Sequence, residues 1–388
     1  MTDKAQPQSK SKVWFITGAS TGFGRLLAEE VLNTGGKVIA TARKLDQVAD
    51  LERKYPEGAK AYSLDVTDPA QVISIVAQTT ACFSPVDVLV NNAGYGLAGA
   101  IEEATEDEFM PVFETNVFGL MRVTRAFLPH FRERRSGHIV NLSSIGGLIG
   151  SPGWGFYNAT KFAVEGFSEA LSAELEPLGI HVTVVEPGPF RTDFLGRSGV
   201  EAAQRIPDYD STAGKTREYF HSQAGKQKGD PARAVKAIIA AVNAPEPPKH
   251  LLLGALALTR FRQRLEVWKT ELDAWQETTV GADFPEGKPT PPLIPAKGSQ
   301  QRSDRNRIDP QCPRSRQFRQ DQHHLLGSRR RPLCHRDLRP LALLIPLHRR
   351  QARKLRRGPR PRHAGHPLRI SRPAHTRTRR TRHPNRIS

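Results

Sequence analysis

In the N-terminal half of the chain, short apolar runs alternate with longer stretches whose apolar residues recur at helical spacing. The first four apolar runs are VWFIT, KVIATAR, AYSLDV and DVLVNNAG, which begin at residues 13, 37, 61 and 87. Apolar runs of this length, without strict alternation, are typical of strands that are covered on both faces. Because amphipathic stretches separate them, the pattern predicts a parallel sheet with helices on both faces.

Later in the chain the same alternation continues. Residues 136–144 and 179–187 predict a fifth and a sixth strand, and residues 250–254 predict a seventh. The expected fold class is therefore α/β, with a Rossmann-type doubly wound parallel sheet of about seven strands.

Two helices are predicted around the seventh strand. Residues 230–245 begin with Asp-Pro, which suits the cap and the first position of a helix. The second helix, within 257–276, carries one apolar stripe, formed by Leu265, Trp268, Leu272 and Trp275. We interpret this stripe as core packing or as a subunit interface.

The charge of the chain divides it in two. Residues 297–388 contain 27 lysines and arginines, four aspartates and no glutamate, so the net charge of +19 arises wholly from this segment. We therefore predict a flexible N-terminus at 1–11, a single domain with the Rossmann-type fold at 12–285, a proline-rich exit at 286–297 and a disordered basic tail at 298–388.

The tail has two interpretations. Its arginines suit phosphate contacts with nucleic acid, but Phe318 is the one aromatic residue that could stack on bases, and no nucleic-acid-binding motif is present. Nucleic-acid binding is therefore disfavoured. A sequence rich in Arg, Pro, His and Leu is also what a GC-rich gene gives when it is translated out of frame.

Cysteine usage and hydropathy exclude other classes of protein. Cys82, Cys312 and Cys334 form neither a disulfide framework nor a metal-ligand spacing, so we expect no metal. The N-terminus lacks an apolar signal region, and no apolar run is long enough to span a membrane. We expect a cytoplasmic protein without a membrane partner.

A glycine-rich turn follows the first predicted strand. Gly18, Gly22 and Gly24 are spaced G-x-x-x-G-x-G and lead directly into a helix. Such a turn lets a pyrophosphate approach the backbone, and the N-terminus of the helix offers free N–H groups to it. We expect a dinucleotide site here.

The end of the second predicted strand indicates which dinucleotide binds. An acidic residue at this place usually holds the ribose 2′-hydroxyl of NAD, whereas an arginine accommodates the 2′-phosphate of NADP. Here the strand ends in Arg43 and Lys44, and the first acidic residue is Asp46. NADP is favoured over NAD, and the hydroxyl of Thr21 could help to hold its phosphate.

Tyr157 and Lys161 are candidates for proton transfer. At a spacing of i, i+4, the two side chains share one face of a helix. A tyrosine that titrates near neutral pH needs its pKa lowered by about 3 units, and a cation at ~4 Å supplies roughly this much. The pair therefore indicates a tyrosine that acts as a general acid or base.

These motifs together resemble the short-chain dehydrogenase/reductase family, in the family's order and at its spacings. They are TGASTGFG at 17–24, Asp65-Val66, NNAG at 91–94, Asn116, Ser144, YNATK at 157–161 and PGPFRT at 187–192. The resemblance implies an NADP-dependent oxidoreductase that interconverts a carbonyl compound and an alcohol by hydride transfer. The alternatives are an NAD-linked alcohol dehydrogenase and, in another class, a cofactor-binding regulatory or nucleic-acid-binding protein that uses the basic tail.

The resemblance also implies a catalytic set of four residues. Tyr157 would transfer the proton, Ser144 would polarise the substrate oxygen, and Lys161 would lower the pKa of the tyrosine and bind the nicotinamide ribose. Asn116 would hold a water that links Lys161 to solvent, or it would only bridge a helix kink.

The cofactor contacts implied by the resemblance run along the whole chain from the glycine turn onward. They are Gly18, Ser20, Thr21, Gly22, Phe23, Gly24, Arg43, Asp65, Val66, Asn92, Ala93, Gly94, Tyr157, Lys161, Pro187, Gly188, Phe190 and Thr192. The family often has aliphatic residues where this chain has Phe23 and Phe190, and many NADP-dependent members have a basic residue at position 21.

The resemblance places a substrate-covering loop and helices at residues 193–229, whose sequence is polar and irregular, and a mobile lid is their expected role. Four residues of this segment could face the substrate or be ordinary packing: Phe194, Leu195, Tyr209 and Phe220. Three more are expected to flank the pocket: Tyr95, Leu97 and Trp154. Together they suggest a small apolar carbonyl or alcohol substrate. The resemblance further implies a homodimer or homotetramer built from helices around 107–134 and 156–178.

Overall fold

The computed structural model describes residues 11–83 and 85–284. Seven parallel strands form the main sheet in the order β3-β2-β1-β4-β6-β7-β9, and β5 pairs with β8 in a separate two-stranded sheet. The strands are β1 (Val13–Ile16), β2 (Lys37–Ala42), β3 (Ala59–Ser63), β4 (Val88–Asn91), β5 (Gly96–Ala98), β6 (Gly137–Leu142), β7 (Ile180–Pro187), β8 (Gly199–Glu201) and β9 (His250–Leu253). The predicted Rossmann-type sheet of seven strands is confirmed.

Helices cover both faces of this sheet. They are α1 (Gly22–Asn33), α2 (Ala49–Lys54), α3 (Pro69–Cys82), α4 (Glu106–Phe113), α5 (Leu120–Arg134), α6 (Gly155–Leu175), α7 (Lys215–Gln223), α8 (Pro231–Asn243) and α9 (Ala255–Val280). A π-helical turn at Glu114–Gly119 joins α4 to α5. As predicted from the Asp-Pro pair at 230–231, Asp230 caps α8 by accepting hydrogen bonds from two backbone N–H groups, and Asp68 caps α3 in the same way.

The core consists of two apolar layers, one on each face of the sheet. Side chains alternate between them, so Trp14 and Ile16 belong to the layer under α1 and α8, whereas Phe15 belongs to the layer under α3, α5 and α6. In the second layer the rings of Phe15 and Phe127 lie 4.8 Å apart. This double covering is why the strands are almost uninterrupted runs of apolar residues.

The segment 193–229, where a covering loop and helices were expected, contains α7 and also the short strand β8. One prediction needs correction. The apolar stripe of α9 is not core packing, since Leu272 and Trp275 are 67% and 65% exposed. The predicted subunit interface on this stripe stays a prediction.

The structure bears on only part of the predicted domain organisation. Apart from Ser11, the predicted N-terminal segment lies outside the described residues, as do the proline-rich exit and the basic tail. No helix among the residues that the structure describes is both long enough and apolar enough to cross a bilayer.

Candidate active site

The carboxyl ends of β1, β2, β4, β6 and β7 border one cavity of about 1530 Å³. Ligands of doubly wound sheets gather at this edge, where the strand order reverses between β1 and β4. All the site residues predicted from the sequence line the cavity except Gly24 and Asn116. The cavity runs from the glycine turn past Ser144 and Tyr157 to Arg260, so it has room for a dinucleotide and a substrate side by side.

The glycine turn requires glycine for two separate reasons. Gly18 and Gly22 have φ angles of +66° and +56°, which side chains rarely adopt. A Cβ on Gly18 would also lie 2.9 Å from the Cα of Ala93, and one on Gly24 would lie 2.4 Å from Nδ2 of Asn92. Gly24 therefore serves close packing behind the turn, whereas Gly18 and Gly22 line the cavity.

Asn92 fastens the glycine turn to the end of β4. Its Nδ2 donates hydrogen bonds to the carbonyl oxygens of Thr17 and Gly18, both at 2.9 Å. In return, Oγ1 of Thr17 accepts from the backbone N–H groups of Asn92 and Ala93. These bonds hold the turn open toward the cavity.

The N-terminus of α1 fits an anionic group. Thr21 caps the helix with its backbone alone, without a hydrogen bond from its side chain, and the first turn contains no acidic residue. The first N–H groups of a helix carry a partial positive charge and need acceptors. The pyrophosphate of a dinucleotide is an acceptor of the right charge and shape for this place.

Arg43 and Lys44 follow β2 and line the cavity beyond the glycine turn. Neither has an ion-pair partner in the part of the chain that the structure describes, unlike Arg25 nearby, which binds Glu29 and Asp50. Asp46 is not among the residues that line the cavity. Both cations thus remain available to a phosphate.

The turn after β3, where the resemblance implies adenine contacts, also borders the cavity. Asp65 accepts hydrogen bonds from the backbone N–H and the hydroxyl of Thr67, at 2.9 and 2.7 Å. Val66 is buried against Gly119, where a Cβ would lie only 2.6 Å from a valine methyl group. The turn is therefore fixed by its own contacts and by the π-helical segment behind it.

Tyr157 lies in the first turns of α6, where burial dominates its chemistry. Burial raises the pKa of Tyr157 to about 12, and a hydrogen bond with Ser144 acts to lower it. The expectation of a tyrosine that titrates near neutral pH is thus not met by the side chains of this chain alone. The reason is that removing a phenolate from water outweighs one hydrogen bond that favours it.

Lys161 follows one helical turn later and is also buried. Its Nζ donates to the carbonyl oxygen of Leu142 at 2.6 Å and lies 5.8 Å from the centre of the Tyr157 ring. Burial lowers the pKa of Lys161 to about 8, and the charge of Glu165 acts in the opposite direction. The ammonium is therefore held at the end of β6, close to the tyrosine ring but bonded to the backbone.

Asn116 lies in the π-helical turn, away from the cavity lining. Its Oδ1 accepts from the backbone N–H of Tyr95, and its Nδ2 donates to the carbonyl of Tyr95 and to the hydroxyl of Thr160. That hydroxyl in turn donates to the carbonyl of Tyr157. Asn116 thus bridges the π-helical turn to the start of α6, and the water that would link Lys161 to solvent stays a prediction.

The segment after β7 completes the cavity on the other side. The backbone N–H of Gly188 donates to the carbonyl oxygen of Leu253, and the hydroxyl of Thr192 accepts from the backbone N–H of Phe194.

The rings of Phe190 and Phe23 meet edge to face, with their centres 5.4 Å apart. The two phenylalanines that depart from the family pattern therefore pack against each other. Pro187 lies opposite Ser144, whose Oγ is 3.5 Å from its carbonyl oxygen.

Aromatic rings build the end of the cavity beside Tyr157, where the resemblance predicts the substrate. Trp154 contacts both Tyr157 and Phe194, with ring centres 5.5 and 6.0 Å apart. Of the seven residues that the sequence placed near the substrate, four line the cavity: Phe194, Leu195, Tyr95 and Trp154. Phe220 packs behind this wall, with its ring centre 6.0 Å from that of Trp154. Leu97, which was expected to flank the pocket, is buried outside the cavity lining, and Tyr209 is hydrogen-bonded to Glu102.

A buried ion pair joins the segment after β7 to the body of the domain. Nη2 of Arg217, on α7, lies 2.7 Å from Oε2 of Glu103, whose side chain is almost inaccessible. The carboxylate also accepts from the backbone N–H groups of Ala100 and Ile206. These contacts set the position of α7 over the substrate end of the cavity.

Sequence reasoning missed a buried acidic group behind Lys161. Carboxylate atoms of Glu165 and Glu186 and a ring nitrogen of His250 all lie within 4.8 Å of one another. Burial raises the pKa of Glu186 to about 7, and the charge of Glu165 adds to this effect. The residues come from α6, β7 and β9, so no local sequence signal could have revealed the group.

Comparison with known proteins now identifies the family. The family model for short chain dehydrogenases matches residues 12–202. The oxidoreductase BOA17 of Botryotinia fuckeliana (strain B05.10) is 38% identical over 273 residues, which cover 70% of this chain and 99% of that protein. A short-chain dehydrogenase of known structure from Streptomyces avermitilis is 43% identical, with a TM-score of 0.67, covering 71% of this chain and 100% of that one. The chain therefore belongs to the short-chain dehydrogenase/reductase family and is an oxidoreductase.

Similar solved structures contain either nicotinamide dinucleotide. ElxO with NADP bound is 30% identical, with a TM-score of 0.55, and covers 64% of this chain and 100% of its own. A short-chain dehydrogenase/reductase from Burkholderia phymatum in complex with NAD is 25% identical, with a TM-score of 0.60, and covers 74% of this chain and 100% of its own. A nicotinamide dinucleotide is thus the cofactor class, and these structures support both forms.

Proposed function

We propose that this protein is an NADP-dependent oxidoreductase that interconverts an apolar carbonyl compound and the corresponding alcohol. The observation that carries the proposal is that Ser144, Tyr157 and Lys161 border one cavity with the glycine turn. When bound, the nicotinamide supplies or accepts the hydride at the substrate carbon.

In this proposal the chain's own residues handle the substrate oxygen. The hydroxyls of Ser144 and Tyr157 donate hydrogen bonds to it, and in the reductive direction Tyr157 gives its proton to the oxygen as negative charge develops there. The high pKa of the buried Tyr157 suits this role, because the phenol stays protonated until a stronger base, the nascent alkoxide, is present. The ammonium of Lys161 stabilises the phenolate that remains, and the oxidative direction reverses each transfer.

Arg43 and Lys44 support the preference for NADP. Both line the cavity and neither is neutralised by a carboxylate among the described residues. A charge-assisted hydrogen bond to a 2′-phosphate would favour NADP over NAD by roughly 10- to 100-fold. The measurement is the ratio of kcat/KM with NADPH and NADH, and Arg43→Ala is expected to lower this ratio.

The test of the catalytic assignment is Tyr157→Phe. We expect turnover of a panel of ketones and aldehydes with NADPH to fall by roughly 10²- to 10⁴-fold, while NADPH binding stays within a factor of a few. Tyr209→Phe is the matched control, because Tyr209 is partly exposed, hydrogen-bonded to Glu102 and absent from the cavity lining. Unimpaired turnover in Tyr157→Phe would refute the assignment.

We also propose a homodimer or homotetramer built from the helices at 107–134 and 156–178. Support comes from exposed apolar side chains on both: Phe118 and Phe162 are each 43% exposed. Aromatic residues are enriched in the cores of interfaces between proteins. Phe118→Glu is expected to lower the mass of the particle in light scattering.

A further inference from the structure

Arg260, near the start of α9, lines the same cavity as Tyr157. Its Nη2 donates to the hydroxyl of Ser151 at 3.0 Å, and the backbone N–H of Ser151 donates to the side chain of Asn158. The guanidinium is thus held against the segment that joins Ser144 to Tyr157. It forms no ion pair with any residue that the structure describes.

A second cation reaches the same place from another element. Lys215 opens α7 and lines the cavity, and the hydroxyl of its neighbour Thr216 donates to the carbonyl of Pro152 at 2.7 Å. Arg260 and Thr216, the neighbour of Lys215, therefore contact adjacent residues of the turn at 151–152. Lys215 likewise has no ion-pair partner within the described ranges.

The carboxylates that line the cavity do not neutralise Arg260 or Lys215, so both cations can bind a ligand. Asp107 and Asp193 also line the cavity, but neither pairs with Arg260 or Lys215 in the described part of the chain. A half-buried guanidinium with one neutral partner is incompletely satisfied, and a carboxylate is the partner that its geometry suits best.

We propose that Arg260, assisted by Lys215, binds a carboxylate of the substrate. This inference rests on the proposed function and narrows it: the substrate is an apolar carbonyl or alcohol compound that also carries an acid group. The aromatic wall of Trp154 and Phe194 contacts the apolar part, and the acid group lies toward the turn at 151–152.

The test compares keto acids of increasing chain length with their methyl esters, using NADPH. The wild-type protein is expected to prefer an acid over its ester, and Arg260→Gln is expected to cut kcat/KM for the acid by roughly 10- to 100-fold, mainly through KM. Turnover of the ester should change little, and Arg260→Lys should restore part of the preference. Arg262→Gln, on the exposed face of the same helix, is the control.

The possible failures are distinguishable. Turnover of esters without a preference for acids, or an equal loss for both in Arg260→Gln, overturns the carboxylate site and leaves the proposed function standing. Absence of turnover with every acid and ester overturns both.

An independent observation concerns the outward face of α9. Seven positions recur at alternating steps of three and four residues, the heptad spacing of a coiled-coil seam; they are Leu258, Phe261, Leu265, Trp268, Leu272, Trp275 and Thr279. In α9, which the structure describes throughout, Ala257 is the only buried residue. Arg260 lies off this seam, on the side of the helix that meets the cavity.

The charges of α9 indicate what pairs with this seam. The half at 255–267 has three arginines and one glutamate, and the half at 268–280 has one lysine and three acidic residues. The halves therefore carry net charges of opposite sign, and the helix as a whole is neutral. Two copies that run antiparallel bring opposite charges together, whereas a parallel pair or an anionic membrane would not gain from this distribution.

We infer that α9 pairs antiparallel with α9 of a second copy of this chain. In this arrangement Trp268 packs against Leu265 of the other copy, and Arg264 faces Glu271. The seam joins subunits in addition to any interface formed by other helices, so disrupting it should halve the mass of the particle.

The test measures particle mass by light scattering for the full chain. Leu272→Glu should halve the mass; Arg264→Glu should weaken association, and the double variant Arg264→Glu/Glu271→Arg should restore it. Thr270→Glu, on the opposite side of the helix from the seam, is the control. An unchanged mass in Leu272→Glu overturns the pairing. If instead the wild type bound lipid vesicles and Leu272→Glu did not, the seam would be assigned to a membrane. If the effect of Leu272→Glu on the mass required residues 298–388, the seam would be assigned to the tail.

Discussion

Nδ1 of His250 lies 2.7 Å from Oε1 of Glu186, whose side chain is completely buried between β7 and its neighbours. His250 itself is more than half exposed, so the imidazole links the buried carboxyl to the surface. Glu165 faces the same carboxyl from α6, one turn beyond Lys161. The other oxygen of Glu186 has no hydrogen-bond partner among the described residues.

This relationship predicts how stability depends on pH. The pKa of Glu186 is raised from 4.5 to about 7, chiefly by burial. Between these two values the folded protein binds the proton and the unfolded chain does not, so the free energy of unfolding falls as the pH rises. The loss amounts to up to about 3 kcal/mol and is complete above the folded-state pKa.

Glu186→Gln removes this titration and should flatten the pH dependence of urea unfolding measured from pH 5 to pH 8. The variant should be the more stable protein at the alkaline end, because a neutral amide replaces a buried carboxylate. Glu169→Gln, at an exposed position of α6, is the control and should behave as the wild type. An identical pH slope in Glu186→Gln and the wild type would contradict the prediction.

Replacing glycine by alanine should have opposite effects on stability at two positions. Gly18→Ala places a Cβ at a φ of +66° and 2.9 Å from the Cα of Ala93, so it should destabilise the fold by at least 1 kcal/mol and weaken dinucleotide binding about tenfold. Gly166→Ala, inside α6 with open space around it, should stabilise the fold by about 1 kcal/mol. Thermal unfolding and cofactor titration measure both; a stabilised Gly18→Ala would show that the turn tolerates a side chain.

The elements that the sequence predicts correctly are those encoded locally. Buried strands are visible in the sequence as apolar runs. The glycine turn can be recognised from its own residues and from the helix that follows it. The spacing of Tyr157 and Lys161 likewise places both on one helix. In each case a few consecutive residues determine the local structure.

What the sequence does not reveal depends on contacts between distant elements. Arg260 reaches Ser151 across 109 residues, and β5 pairs with β8 across a similar separation. The pKa of Tyr157 is a further example. Its spacing to Lys161 predicts a lowered pKa, but the burial that raises it is set by how α6 packs in the fold.

The basic tail gives a prediction about domain organisation. BOA17 is matched over 99% of its length by 70% of this chain, so a large part of this chain has no counterpart there. Deleting residues 298–388 should leave kcat and KM unchanged within a factor of about two, as expected for a segment outside the catalytic domain. The measurement is steady-state turnover with NADPH, and a loss of activity would show that the tail takes part in catalysis or folding.

From the ion pair of Arg217 and Glu103 we predict what holds α7 in place over the cavity. Glu103 is almost fully buried, so Arg217→Met would leave its carboxylate without its charged partner, at a cost of about 3 kcal/mol. We expect faster hydrogen exchange in α7 and a higher KM, because α7 lies over the substrate end of the cavity. Arg205→Met is the control: both Arg205 and its partner Asp210 are exposed, and such pairs contribute little to stability because solvent screens them. The double variant Glu103→Gln/Arg217→Met should recover part of the loss, since it removes the buried charge. If both single arginine variants behaved alike in hydrogen exchange and unfolding, burial of Glu103 would not be what holds α7 in place.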